Sequence, residues 1–176
     1  MTKLILPVES RDHMQGSLSA PVVLLEYGDY QCPYCGAAYP VVKKLQEKLG
    51  SKLCFVFRNF PLTSMHEHAE HAAEAAEAAG TQGKFWEMHD RLYENQAALS
   101  DRDLLEHGRA LGLDLKKYRS NLEQHSFLAR VKEDFTSGVR SGVQGTPTFF
   151  INGVRHDRGV GYADLLSALE NAPRRS

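Results

Sequence analysis

Cys32-Pro33-Tyr34-Cys35 places two thiols one helical turn apart, between an apolar run and a stretch of helical periodicity. In a strand–helix–strand context, this spacing reads as a redox dithiol. A cysteine at a helix N-terminus meets unpaired backbone N–H groups and the positive end of the helix dipole. Both favour thiolate over thiol, so Cys32 is the expected nucleophile of disulfide exchange. Cys35, one turn further in, is placed to resolve a mixed disulfide. Pro33 stiffens the turn but offers no N–H to the sulfur, which leaves Tyr34 and the following amides as donors. A structural zinc site usually needs four ligands. Only Cys54 remains among the cysteines, and no second C-x-x-C or H-x₃₋₅-H follows at finger spacing.

Other residues could also carry chemistry. Glu26 is the only charge in the run Val22–Tyr27. A carboxylate there must be paired, protonated or wet. It is either a group whose raised pKa lets it exchange a proton with Cys35 or an exposed strand-end acid with no role. Gly145-Thr146-Pro147-Thr148 sets a proline at the mouth of a strand, which fits a cis bond or an ordinary trans loop. Cys54, inside Leu53–Phe57, reads as a small buried hydrophobe. His66, His68 and His71 with Glu67 and Glu70 match neither H-E-x-x-H nor H-x-x-E-H. They read as the polar first turn of a helix, with adventitious zinc or nickel binding unsurprising. No metal site and no cofactor are assigned.

The elements that must hold these groups follow from periodicity. Val22–Tyr27, after Pro21 and before Gly28-Asp29, reads as a central strand covered on both faces. Ala38, Val41, Val42, Leu45 and Leu49 mark one helix face, with Pro40 as an interior kink and Gly50 as the stop. Leu53–Phe57 reads as a second buried strand, parallel to the first across this crossover. Ser64-Met65-His66-Glu67 has the capping-box pattern for an alanine-rich helix ending near Gly80. Lys84–Asn95, a helix opened by Ser100-Asp-Arg-Asp103 and closed by Gly112, one capped by Asp114, and Ser126–Val139 complete a mildly acidic helical segment. Phe85, Trp86 and His89 read as its core. Thr148–Ile151 and Val154–His156 flank Asn152-Gly153, a hairpin signal. Tyr162, Leu165, Leu166 and Leu169 mark a last amphipathic helix, and residues 171–176 read as a frayed tail.

Composition narrows the rest. With 176 residues, 42% hydrophobic and 24% charged, the chain has enough material for one domain with a core. A net charge of −1 argues against nucleic-acid binding. No apolar run approaches the roughly 18–20 residues of a membrane-spanning helix. Leu4-Ile5-Leu6 is stopped by Pro7 and Glu9, so no export signal is visible. That places the chain in the cytoplasm, or in the periplasm or another extracytoplasmic compartment if a precursor was trimmed.

Together, Glu26–Cys35, the helical insertion and Gly145–Gly153 resemble the DsbA-like branch of the thioredoxin superfamily, from about Arg11 onward. The resemblance implies an α/β fold. One domain, 1–176, would have a thioredoxin-like core at 15–63 and 143–172 and a helical insertion at 64–142. It implies a cis-proline loop at Thr146-Pro147 opposite the dithiol, the Thr146 backbone pairing with an extended peptide. It also places an acid, Glu26, beneath the dithiol. The expected activity is thiol–disulfide exchange with protein or peptide thiols by a monomer that needs a redox recycling partner. Its direction stays open. Alternatives are glutathione-dependent transferase or isomerase chemistry, whose relatives place a serine at Cys32, and a non-catalytic metal-binding or redox-sensing module.

Overall fold

The computed structural model describes residues 2–173, so the expected tail lies outside the described residues from 174 on. Five strands form one sheet: β1 (His13–Gln15), β2 (Val22–Gly28), β3 (Leu53–Asn59), β4 (Thr148–Ile151) and β5 (Val154–His156), in the order β1-β3-β2-β4-β5. β2 and β3 are parallel, joined by helix α1 (Pro33–Leu49), and the other pairings are antiparallel. Between β3 and β4 run five helices: α2 (Ala69–Gly80), α3 (Phe85–Glu94), α4 (Asp101–Ala110), α5 (Leu115–Glu123) and α6 (Leu128–Arg140). Helix α7 (Tyr162–Glu170) closes the order. This is the expected thioredoxin-like α/β fold with helices inserted into it.

The central strands carry continuous apolar runs because both sheet faces are covered. Leu24, Phe55, Phe57, Phe149 and Ile151 join one buried cluster with Cys32, Cys35 and residues of α1, α2, α3 and α7. Val23, Leu25, Tyr27, Cys54, Val56 and Phe150 form a second cluster on the opposite face, packed by Leu4, Val8 and Phe135. Helix α6 reaches this face through Gly138, where a Cβ would stand 2.7 Å from the Phe60 ring.

Arg58, at the end of β3, is buried on this second face. Its Nε and Nη2 donate to both carboxylate oxygens of Asp12 at 2.8 and 2.9 Å. The remaining donors reach the Leu6 and Pro7 carbonyls and the Tyr27 hydroxyl. The N-terminal segment is thereby strapped across the sheet. It also reaches the β5 edge, where Leu4 N–H donates to Gly153 O and Arg155 N–H to Thr2 O.

Several expectations need correction. Ser64 caps nothing: residues 63–65 and 67–68 are turns, and α2 starts only at Ala69. Asp29 draws the His66 ring and the Leu62 N–H, and Gln31 takes the His68 N–H, which holds this stretch out of helical geometry. The three histidines therefore do not share a first helical turn. Helix α6 begins at Leu128, not Ser126. β1 carries too short a pattern to be read from sequence. The capping box at Ser100, the Asp114 cap and the Asn152-Gly153 turn, both residues at positive φ, are all present.

Candidate active site

The site is built on the turn between β2 and α1. Asp29 is buried there and organises four donors. Its Oδ1 accepts from the Gln31 and Cys32 amides at 2.8 and 3.2 Å. Its Oδ2 accepts from the Leu62 amide and bonds the His66 ring at 2.9 and 2.8 Å. From the insertion, Gln96 donates one amide group to both Tyr30 O and Cys32 O at 2.9 Å. Gly36 is needed for this clamp, because a Cβ there would run into the Gln96 carboxamide. None of Asp29, Gln96 and Gly36 was singled out from sequence. Asp29 carried a local signal, an Asx turn onto the amide two residues on. Gly36, a glycine inside the first helical turn, hinted at a close approach. Gln96 lies more than sixty residues from the turn and carried none.

Cys32 is the N-cap residue of α1, Pro33 follows at the first helical position, and Cys35 is fully buried one turn in. Both side chains are thiols. The Cys32 pKa is lowered to about 5. The main cause is the hydrogen bond from the Cys35 thiol, which outweighs burial. The Cys35 and Tyr34 amides add to it. These are the amides of the helix N-terminus, in the arrangement that stabilises a thiolate there. Burial pushes the Cys35 thiol far up, and its hydrogen bond to Cys32 and the charges of Glu26 and Cys32 push it further. One thiol is thus held ionised while the other keeps its proton.

Glu26 lies in mid-sheet, paired in register with Phe57 and Phe149, and 2% of its surface is exposed. Burial raises its pKa to about 8, and the Cys32 charge adds to the rise. Its Oε1 has no hydrogen-bond partner within the protein. A cavity of about 10 Å³ adjoins it, lined also by Tyr93, His89, Asp90, Lys43 and Gln15. That is near the least volume one water requires. His89 itself is neutral, since burial holds its pKa well down, and it bonds the Tyr30 hydroxyl through Nδ1 at 3.1 Å.

Across from the dithiol, the Thr146–Pro147 peptide is cis. Cys32 Sγ lies 3.4 Å from Thr146 O, which brings this loop against Cys32. Tyr34 stands out 73% exposed, and Met65, next to the His66 that Asp29 holds, 74%. Cys54 is buried on the opposite face. Trp86 and His89 pack with Phe55, Phe57 and Tyr93 in the core.

Residues 9–171 match the Thioredoxin family. The chain belongs to the thioredoxin family. Its fold is close to solved structures of DsbA-like proteins. A thioredoxin-like oxidoreductase from Silicibacter pomeroyi superposes with a TM-score of 0.81 and 26% identity, covering 92% of each chain. The alpha-DsbA1 of Wolbachia pipientis gives 0.80 at 21% identity over 95% of this chain and 92% of its own, and agrees in fold. BdbD from Bacillus subtilis gives 0.78 at 23% identity over 89% and 90%, again a likeness of fold. Curated relatives are longer. The Na(+)/H(+) antiporter NhaA 1 of Salinispora arenicola is 45% identical over 96% of this thioredoxin-family chain, which covers 26% of it. The corresponding protein of Mycolicibacterium vanbaalenii is 40% identical over 98% of this chain and 28% of its own length. The chain thus spans about a quarter of the length of these relatives. No helix among the described residues is long and apolar enough to cross a membrane.

Proposed function

We propose that this domain exchanges disulfides with protein or peptide thiols through Cys32 and Cys35, working in the oxidising direction. The observation that carries the reading is the opposite displacement of the two thiols, Cys32 down to about 5 and Cys35 upward, beside the Thr146–Pro147 loop. In that direction, a substrate thiolate attacks the Cys32 sulfur of the Cys32–Cys35 disulfide. The bond between the two cysteines breaks, and Cys35 leaves with the electron pair and takes up a proton. Glu26, whose raised pKa keeps it protonated near neutrality, is the nearby source. A second substrate thiolate then attacks the substrate sulfur of the mixed disulfide and expels Cys32 as a thiolate. The substrate loses two electrons and the protein gains them. A low pKa makes Cys32 a good leaving group, and stabilising the reduced form makes the couple oxidising. The reducing direction runs the same steps in reverse, with Cys35 attacking the Cys32 sulfur of the mixed disulfide, so the potential of the couple decides between them.

Thr146 and Pro147 shape the wall against which an extended peptide would lie, and the exposed side chains of Tyr34 and Met65 offer it apolar contact. Pro33 and Tyr34 act through the turn they form. Turnover then needs a redox partner that reoxidises the dithiol. This reading concerns the quarter of the antiporter relatives that the chain spans. Ion transport, which their names state, belongs to them as whole proteins.

The test is the reduction potential of the Cys32–Cys35 couple, by equilibration in glutathione buffers and mass spectrometry of alkylated thiols. A value of about −120 to −180 mV is expected, and one near the roughly −270 mV of thioredoxin would reverse the assigned direction. A dithiol that neither oxidises nor reduces peptide thiols would remove the exchange reading itself.

A further inference from the structure

Away from the dithiol, two imidazoles face a buried carboxylate. His71 and Glu74, one turn apart on α2, meet His125 from the turn between α5 and α6. One ring nitrogen of each histidine and one Glu74 oxygen all lie within 4.8 Å of one another. His125 Nδ1 is 2.9 Å from Glu74 Oε1, and the two rings are 5.2 Å apart. Glu74 is 1% exposed, yet its second oxygen, Oε2, is buried without a hydrogen-bond partner. Such an orphaned carboxylate oxygen is costly. A salt bridge to His125 uses only Oε1. The His71 ring is held in place from behind, its Nδ1 2.6 Å from Asp101 Oδ1 at the start of α4, and its Nε2 has only a long contact, 3.4 Å to Leu122 O, for an ion to displace.

We propose that His71, Glu74 and His125 bind one divalent transition-metal ion, with zinc the best fit. Zinc takes histidine nitrogen and carboxylate oxygen at about 2.0–2.2 Å and holds tetrahedral ligands roughly 3.3 Å apart. Separations of up to 4.8 Å need a closure of up to about 1.5 Å, which the exposed His125 ring can supply by turning. The Glu74 carboxylate supplies the negative charge, and an ion bound through Oε2 would give that unpartnered oxygen its ligand. Asp101 bonded to His71 is the usual carboxylate behind a ligating imidazole, which fixes the ring and raises its basicity. Three protein ligands leave a fourth position for water or a further donor. The ion would tie α2, the α5–α6 turn and, through Asp101, the start of α4 into one unit. The sequence alone assigns no metal site and allows only adventitious binding at His66, His68 and His71. The fold sends His66 to Asp29 and leaves only His71 in this group.

The experiment titrates Zn²⁺ into the full chain with Cys32 and Cys35 joined as a disulfide, so that the dithiol cannot take the metal, and follows the heat. Co²⁺ provides the second readout. One ion per chain is expected, with cobalt d–d absorption and no sulfur-to-metal charge-transfer band. His125→Asn should weaken binding on the order of 100-fold or more. Asparagine is chosen because His125 sits at φ 50°, where it is tolerated and alanine is strained. Glu74→Gln should weaken binding comparably, and His68→Ala and His156→Ala should leave it unchanged. His125 lies at the surface, so the test stands even if a buried α2 variant fails to fold. The absence of saturable one-to-one binding by the disulfide form, or unaltered affinity in His125→Asn, overturns the site.

Discussion

At the scale of single residues, the proposed chemistry rests on three ionisable groups whose pKa values are driven apart. Alkylation of Cys32 by iodoacetamide should reach half its maximal rate near pH 5. A midpoint at 8 or above would show that the Cys35 thiol and the amides of Tyr34 and Cys35 do not stabilise the thiolate. Glu26 gives a prediction of opposite sign. Its folded pKa, about 8, lies above its ordinary value of 4.5, so the folded reduced protein holds a proton that the unfolded chain has released. Stability from this group is full below about pH 4.5 and is lost as pH rises toward 8. Glu26→Gln should therefore gain stability relative to the parent across that window, by urea denaturation of the reduced form at several pH values. The same variant should slow exchange by roughly 10–100-fold, since a positioned proton donor is gone. Parallel pH profiles in parent and variant would take Glu26 out of the titration. Cys32, Cys35 and Glu26 were legible in the sequence because each breaks a local rule: two thiols at a helix start, and one charge in an apolar strand. The size of each shift depends on how deeply the assembled fold buries these groups and how it sets their hydrogen bonds, which the local sequence does not show.

At the scale of elements, the turn before α1 is held by partners from two other segments. Asp29 satisfies four donors, and replacing it by alanine takes the carboxylate acceptor from the Gln31 and Leu62 amides and the His66 ring, at about 1–3 kcal/mol each, while the Cys32 amide keeps the Asp29 carbonyl. Asp29→Ala should cost at least about 3 kcal/mol in reversible denaturation, and a loss under 1 kcal/mol would mean that water replaces the carboxylate. Gly36→Ala should impair exchange by pushing Gln96 off Tyr30 O and Cys32 O. Pairing it with Gln96→Ala should then restore the room but not the clamp, a distinction visible as recovered stability with slowed kinetics. The same turn explains where element reading failed. Ser64 and Glu67 have the spacing of a capping box, but Asp29 and Gln31 hold that stretch from across the turn, so tertiary bonds override a local motif. At Ser100 no such competitor intervenes, and the same pattern caps a helix. β1 has three residues and exists because β3 offers it an edge, a reason that lies outside its own sequence.

At the scale of the molecule, the fold class was legible because strand, crossover, helical insertion and hairpin follow one another in readable periods. The N-terminal strap was not. Arg58 follows five apolar residues, and its partner Asp12 lies 46 positions earlier. Truncating one member of such a buried pair costs about 3–5 kcal/mol. Arg58→Met should lose that much, and Arg58→Met with Asp12→Leu should lose less than the single variant. Equal losses in both would mean that the Leu6 and Pro7 carbonyls, not the carboxylate, are the partners that matter. The strand order has a further consequence, in the sequence of assembly. β2, α1 and β3 are neighbours in the chain and can associate early. β4 joins β2 only after a separation of 129 residues between Val23 and Asn152, a closure costing about 4 kcal/mol of chain entropy. It brings the Thr146–Pro147 loop with it. On a ribosome, the two cysteines therefore emerge long before the wall that covers them, and a half-made chain carries an ungated dithiol. Nascent chains stalled before residue 146 should react with a bulky maleimide at Cys32 faster than chains released at full length.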